Sequence, residues 1–451
     1  MIGLLWFLII FPLGGALLSL LPNPKVKESS TLFASLITTV LSIYIIVKAL
    51  RGDIAEGWMF VDIYSAIIIL LISCVYLLSS AYSVYFLKTV KETFISVDFY
   101  YSLLNLFALS MLFTAVSANI GLMWIGLETS TVVSALLIVL EKKKAGAEAA
   151  WRYAIIASAG MGIALLSIIV IQFVGKTLIW YNVRLSPFAA SVALALALVG
   201  FGTKIGLFPM HTWLPDAHGS APPPISAMLS ATLLPVALLT YFRIFSIAIA
   251  SRAYHAVGLT AFFGAITALV ASILIIQQQN FKRLFAYSTM DVMGIAVAGL
   301  AFGGKAAEAS FLLLIVHAFA KSGLFFGSGN IIAAYKTKKI ENVRGLLNST
   351  QFTGITMVLG AFAVTGAPPF ASFIAELVIL SYSFKMPLIT AMLAISIFTS
   401  FLALNYHVAK MSFGDAKINK IPVGAEIIPF LSVAIALVFS LGVWIYIEVM
   451  L

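Results

Sequence analysis

The sequence predicts an all-α polytopic membrane protein of about fourteen transmembrane helices, and three observations carry that reading. Of 451 residues, 62% are hydrophobic. Only 10% are Asp, Glu, Lys or Arg, against roughly 25% in ordinary globular domains, too few to clothe the three soluble domains that length alone would suggest. The apolar residues also gather into runs of about 20, the length a helix needs to cross a hydrocarbon core of about 30 Å. A mean hydropathy of +1.09 and 13% aromatic residues exclude a disordered chain.

In chain order the runs are approximately 3–21, 31–50, 63–87, 98–117, 119–140, 150–174, 188–218, 222–249, 254–279, 282–304, 306–335, 350–384, 386–412 and 425–449. The first lacks a positive segment before its apolar stretch and reads as a retained span, not a cleaved signal peptide. The seventh and twelfth are overlong and contain Pro209 with Pro215 and Pro368 with Pro369, so each is expected to be a broken helix. Laid over one another at Pro209 and Pro368, these two runs set Lys204 against Ala363; any repeat is topological, not a repeat of sequence.

Net charge is +10, and the basic residues sit mostly in loops, which points away from nucleic acid and toward cytoplasmic loop bias. Loops after odd-numbered spans, with adjoining ends, hold seventeen Lys and Arg, including Lys91, Lys142, Lys143, Lys417 and Lys420, against eight after even-numbered spans. Both termini are therefore expected on the non-cytoplasmic side. Polar stretches reach only about a dozen residues, too short for a nucleotide-binding fold. The single Cys74 leaves no cysteine-ligated cluster within the chain.

Ionisable groups inside spans cost about 2.5–3.5 kcal/mol on insertion scales and read by default as functional. Glu128, Lys204, Asp291, His317, Lys321 and Glu376 stand mid-span. A Lys and a Glu that merely pin two helices together are the plainer account of any one pair, but an alternating acid and base series across five spans favours a proton relay. His317 and Lys321 are four apart and share one helical face. His211, Asp216 and His218 in MHTWLPDAHGSAPPP resemble a metal-ligand cluster; capping of helix ends and of freed backbone is the preferred reading, with His211 a secondary relay candidate. Arg243, Lys48 and Lys410 are read as snorkelling side chains.

The stretch 200–231, GFGTKIGLFPMHTWLPDAHGSAPPPISAMLSA, resembles the signature of the antiporter-like, proton-translocating subunits of respiratory complex I, multi-subunit sodium/proton antiporters and group 4 membrane-bound hydrogenases. Supporting blocks are WIGLETSTVVSALLI at 124–138, EAAWRY at 148–153, FKRLFAYSTMDVMG at 281–294, HAFAKSGLFFGSGNI at 317–331 and GAPPFASFIAE at 366–376. Within that family the blocks most resemble the F component of hydrogenase-4. The resemblance implies three N-terminal helices over 1–97, two inverted five-helix repeats at 98–249 and 254–412, and a C-terminal helix over 425–451. It also implies that Glu128 pairs with Lys204, that His317 and Lys321 follow, and that Glu376 leads toward the exit. Many relatives carry a basic residue in the eighth span near the place of Pro235, and this chain has none there. Asp291 is not explained by the family scheme and is expected to mirror Glu128.

The expected function is movement of H⁺, or H⁺ exchanged for Na⁺, by a membrane subunit of a redox-driven complex in the cell membrane. The chain is expected to hold no metal and no cofactor. Partner subunits would carry iron–sulfur clusters, with a nickel–iron centre as a further candidate. A subunit of a non-redox sodium/proton antiporter, an autonomous secondary transporter and a purely structural scaffold are the rival readings.

Overall fold

The computed structural model describes residues 3–90, 92–140, 144–415 and 422–450. Lys91, Lys142, Lys143, Lys417 and Lys420, counted above toward orientation, lie outside the described residues. Along the chain run α1 (Leu4–Leu18), α2 (Pro24–Ala49), β1 (Ile54–Glu56), β2 (Met59–Val61), α3 (Ile63–Phe86), α4 (Val97–Val116), α5 (Ile120–Ile138), α6 (Lys144–Gly175), α7 (Pro187–Ile205) and α8 (Trp213–Ser220). They continue with α9 (Pro223–Met228), α10 (Leu234–Ala250), α11 (His255–Ile276), α12 (Phe281–Phe302), α13 (Gly304–Tyr335), α14 (Leu346–Ser349), α15 (Gln351–Val364), α16 (Ala371–Ser383), α17 (Pro387–Ser412) and α18 (Val423–Met450).

Twelve helical stretches among the described residues are long and apolar enough to cross a membrane. The first predicted run instead forms the 15-residue α1, and the twelfth is divided between α15 and α16, of 14 and 13 residues. Local signals start several helices. The Asn119 side chain accepts from Gly121 N and Leu122 N at the head of α5, and Asn280 does the same for Lys282 N and Arg283 N at α12. Ser186 caps α7 with Pro187 at its first turn. The antiparallel hairpin β1–β2, not anticipated from the sequence, turns through Gly57 at φ +64°. It delivers the Glu56 carboxylate to Leu4 N and Leu5 N at the start of α1, 3.0 Å each, satisfying donors that a helix leaves open.

The predicted interruptions occur at the prolines. The α7 helix stops at Gly206, whose φ of +87° suits glycine, and a cis Phe208–Pro209 bond follows before α8. Phe208 N is satisfied by Thr267 Oγ1 at 3.0 Å. Between α15 and α16, Gly366 takes φ +65° and Pro368–Pro369 is cis. Freed carbonyls there find donors: Ser372 Oγ to Ala363 O at 2.7 Å and Trp444 Nε1 to Pro369 O at 2.8 Å, as irregular backbone at membrane depth requires. A third irregularity was not foreseen. Leu229–Leu233 forms a π-turn ahead of Pro235, which spares the chain the hydrogen bond that a proline cannot donate.

The chain divides into two compact units. The first is Met1–Val84, Val90–Gly206 and Ser220–Leu259. Here α6 and α7 approach closely, because a Cβ on Gly200 would come within 2.4 Å of Ala164 N, the small-residue packing common among membrane helices. The second unit is Tyr85–Thr89, Leu207–Gly219 and Thr260–Leu451, so most of α8 belongs to it while α7 belongs to the first. Its centre is α12, buried on all sides except at Arg283 and Phe302.

Candidate functional site

In the first unit, Lys204 is fully buried near the end of α7. Its Nζ donates to Thr131 Oγ1 at 2.6 Å and to Tyr153 OH at 2.8 Å, and it stands 5.0 Å from the centre of the Tyr153 ring, within the range of a cation–π contact. The Tyr153 hydroxyl is also within 2.8 Å of Ser134 Oγ. Glu128, on α5, accepts from Ser158 Oγ at 2.6 Å through Oε1, while its Oε2 is buried without a hydrogen-bond partner. The expected Glu128–Lys204 contact pair is therefore corrected. Glu128 is near enough for its charge to act on Lys204, yet hydroxyl groups of Thr131 and Tyr153 occupy the ammonium and Ser158 occupies one carboxylate oxygen. Thr131 on α5 and Tyr153 on α6 are the residues whose hydroxyls reach the ammonium, both at hydrogen-bond length.

In the second unit, α13 carries the fully buried Lys321, whose Nζ donates to Phe285 O on α12 at 2.9 Å. His317, 1% exposed, sits one turn earlier on the same face. Asp291 on α12 is also buried and accepts from Ser396 Oγ of α17 at 2.6 Å; its charge is felt at Lys321 and at Glu376. Glu376, buried on α16, lies against the interrupted backbone, so that a Cβ on Gly366 would meet its Oε2 at 2.0 Å. It borders a cavity of about 350 Å³ with apolar walls from Phe373, Leu377, Phe398 and Phe401. The structure thus gathers Glu128 with Lys204, and Asp291 with Lys321 and Glu376.

The residues of the proline-rich loop go to separate partners. His211 lies in a short turn, its ring 5.7 Å from that of Phe208. Asp216 pairs with Arg283 at 3.1 Å. His218 is fully buried and stacks on Phe325, centroids 4.8 Å apart and planes 13° from parallel. Among the described residues no group of three or more His, Cys, Asp or Glu side chains is placed to hold a metal ion.

Three features escaped the sequence reading. Arg243 does not snorkel: it is 2% exposed and grips Asp62 with both arms, at 2.6 and 2.7 Å, with Ser65 Oγ at 2.9 Å and the Trp180 ring 4.3 Å away. Burial alone would raise the Asp62 carboxyl, but the Arg243 hydrogen bonds and charge outweigh it and hold it below the usual carboxylate value. Lys282, the first residue of the predicted run 282–304 and counted toward orientation with that span end, is 1% exposed. Tyr153 lay in the quoted EAAWRY block, but nothing in the block's spacing shows that it meets Lys204.

Residues 117–403 match the family described as "NADH:quinone oxidoreductase/Mrp antiporter, TM". The Hydrogenase-4 component F homolog of Methylacidiphilum infernorum (isolate V4) is 31% identical over 97% of this chain and 95% of its own length. Hydrogenase-4 component B of Escherichia coli (strain K12) is 28% identical over 72% of this chain, which spans 50% of that longer protein. Among solved structures, a chain of the archaeal membrane-bound sulfane sulfur reductase superimposes with a TM-score of 0.88 at 22% identity, covering 98% of this chain and 95% of that one. A chain of the Mrp complex from Dietzia sp. DQ12-45-1b gives 0.88 at 16% identity, covering 99% and 95%; both share the fold. The chain belongs to the NADH:quinone oxidoreductase/Mrp antiporter transmembrane family.

Proposed function

We propose that this chain is an ion-translocating membrane subunit of a redox-driven, multi-subunit complex, moving H⁺, or H⁺ in exchange for Na⁺. Glu128 and Lys204 serve the first unit, and His317, Lys321 and Glu376, with Asp291, serve the second; His211 is a secondary pathway residue. The observation that carries this reading is the presence of two fully buried lysines, Lys204 and Lys321, whose amino groups are hydrogen-bonded to neutral oxygens while a buried or half-buried carboxylate acts on each from nearby. An opposite charge favours the ionised form of its neighbour, and neutralising it removes that support. A proton arriving at one member is therefore felt at the next.

The redox centres belong to partner subunits in this reading: iron–sulfur clusters and, where the complex is a hydrogenase, a nickel–iron centre. The Hydrogenase-4 names of the relatives support that assignment. The chain resides in the cytoplasmic membrane with both termini on the non-cytoplasmic side, as the loop charges indicate. It comprises fourteen spans, with inverted repeats at 98–249 and 254–412 between the N-terminal 1–97 and the C-terminal helix 425–451.

Purification in mild detergent tests the partners, and Glu128→Gln tests the path. A multi-subunit particle holding iron–sulfur subunits is expected. In that particle Glu128→Gln should assemble but lose ion translocation. An isolated, active chain that exchanges Na⁺ for H⁺ unaided would overturn the redox assignment in favour of an autonomous transporter.

A further inference from the structure

The cavity beside Glu376 has chemistry that the proposed path does not use. It lies between α16 and α17, which the short segment 384–386 joins. Each helix turns one face to it, with Phe373, Leu377 and Leu380 from α16 and Ala394, Ile397 and Phe401 from α17, at spacings of three and four that put side chains on one side of a helix. The two walls are fastened to each other at both ends. Near the turn, Ser383 Oγ donates to Thr390 Oγ1 at 3.0 Å and Thr390 Oγ1 donates to Ser383 O at 2.7 Å. At the interrupted backbone, Asn405 Nδ2 of α17 donates to Thr365 Oγ1 at 3.0 Å. The space is therefore built into the fold, and its volume of about 350 Å³ falls in the range of small-molecule sites, roughly 300–1,000 Å³.

Its inner and outer ends differ. The inner end is the Glu376 carboxyl, 5% exposed and laid against Gly366. Thr365, the other polar side chain of the lining, is already engaged, since its hydroxyl donates to Ala361 O at 2.8 Å and accepts from Asn405. Among the described residues no hydrogen-bond donor reaches the Glu376 carboxyl. The outer end is apolar and open, with Leu377 49% and Phe398 66% exposed. Phe398 stands near the middle of α17, a stretch long and apolar enough to span a membrane, so the mouth lies at membrane depth.

A buried carboxyl without a donor favours a ligand that brings one, and aromatic walls favour a flat hydrocarbon body. An amine with an aryl group meets both demands, and it can cross hydrocarbon as its free base, where the charged form is costly. We propose that this cavity binds lipophilic aryl-alkyl amines from the membrane, the amine nitrogen taking the proton of the Glu376 carboxyl and staying paired with the carboxylate. The carboxyl O–H bond breaks as the new N–H bond forms, so no further reactant is needed. Phe373, Phe398 and Phe401 supply the rings that pack against the aryl group. That a bound amine stops translocation rests on the pathway reading above; that it binds does not.

The experiment measures equilibrium binding of radiolabelled 1-naphthylmethylamine, and of 1-naphthylmethanol as its neutral counterpart, to the whole complex, and then protons moved per electron in vesicles with the amine present. Saturable amine binding is expected, with the alcohol about tenfold or more weaker, the scale of one hydrogen bond to a charged group. Ala394→Phe, which fills the cavity without touching Glu376, and Glu376→Gln should each weaken amine binding by a similar factor. Ala394→Phe should also translocate at the wild-type ratio and escape the block. Equal binding of amine and alcohol overturns the proposal, as does equal binding or equal inhibition in wild type and Ala394→Phe. The expected binding pattern with undiminished translocation keeps the site and overturns the place of Glu376 in the pathway. Should Ala394→Phe fail to assemble, Phe398→Ala, which removes an exposed wall of the mouth, decides by the same binding comparison.

Discussion

Lys204 donates its 2.8 Å hydrogen bond to the Tyr153 hydroxyl while standing 5.0 Å from the centre of that ring. The tyrosine thus holds the buried ammonium through its phenol oxygen. Hydrogen bonds to charged groups contribute about 1.5–3 kcal/mol, and the loss of this one should show in transport before it shows in folding.

Tyr153→Phe removes that hydroxyl and leaves the ring in place. Ion translocation by the assembled complex is expected to slow by about tenfold, the equivalent of roughly 1.4 kcal/mol. Reconstituted vesicles with a pH-sensitive dye read the rate. An unchanged rate would mean that Thr131 alone positions Lys204.

The architecture was legible because helices in a bilayer must satisfy their backbone internally, which forces long apolar runs and makes interruptions visible as Pro209 and Pro368. The buried ionisable residues were legible for the same reason, each being a polar residue in an apolar context. Side-chain partners were not. Whether Glu128 meets Lys204 directly depends on Thr131, Tyr153 and Ser158, residues that carry no charge and so leave no mark in an apolar span. The partner of Arg243, Asp62, is 181 residues away, so the sequence reads Arg243 as a snorkelling side chain. The hairpin was missed because two strands of three residues are shorter than any periodic signal.

The Asp62–Arg243 pair makes a prediction about stability. Removing one member of a buried pair leaves the other charge uncompensated and typically costs about 3–5 kcal/mol, so Asp62→Asn should lower the thermal midpoint of the purified protein clearly. The pH dependence follows from the sign of the shift. The Asp62 carboxyl is held below its ordinary value of 3.8, so its contribution is present above that pH and is lost as pH falls through the lowered value. Wild type should therefore lose stability on acidification below about pH 4, and Asp62→Asn should lack that component. Equal acid sensitivity in the two proteins would contradict the assignment.

Gly366 couples the second interruption to Glu376. Its φ of +65° disfavours any residue with a Cβ, and that Cβ would fall 2.0 Å from Glu376 Oε2. Gly366→Ala is expected to cost about 1–2 kcal/mol from the left-handed backbone alone and to push the Glu376 carboxyl out of its place. Assembly with reduced translocation is the expected phenotype, read by particle size and vesicle acidification. Full activity would show that the carboxyl's position against this backbone is immaterial.

The central claim is that buried lysines pass protons through this chain, and Lys321 tests it most directly, because it is fully buried, its amino group meets only the Phe285 carbonyl among the described residues, and it lies one turn from His317 on its own helix. The measurement is the number of ions translocated per electron by the reconstituted complex carrying Lys321→Met, with Lys321→Arg beside it to keep the charge but hold the proton too firmly for release. The account predicts an assembled complex in which both variants fall well below the wild-type ratio. A wild-type ratio in Lys321→Met contradicts it.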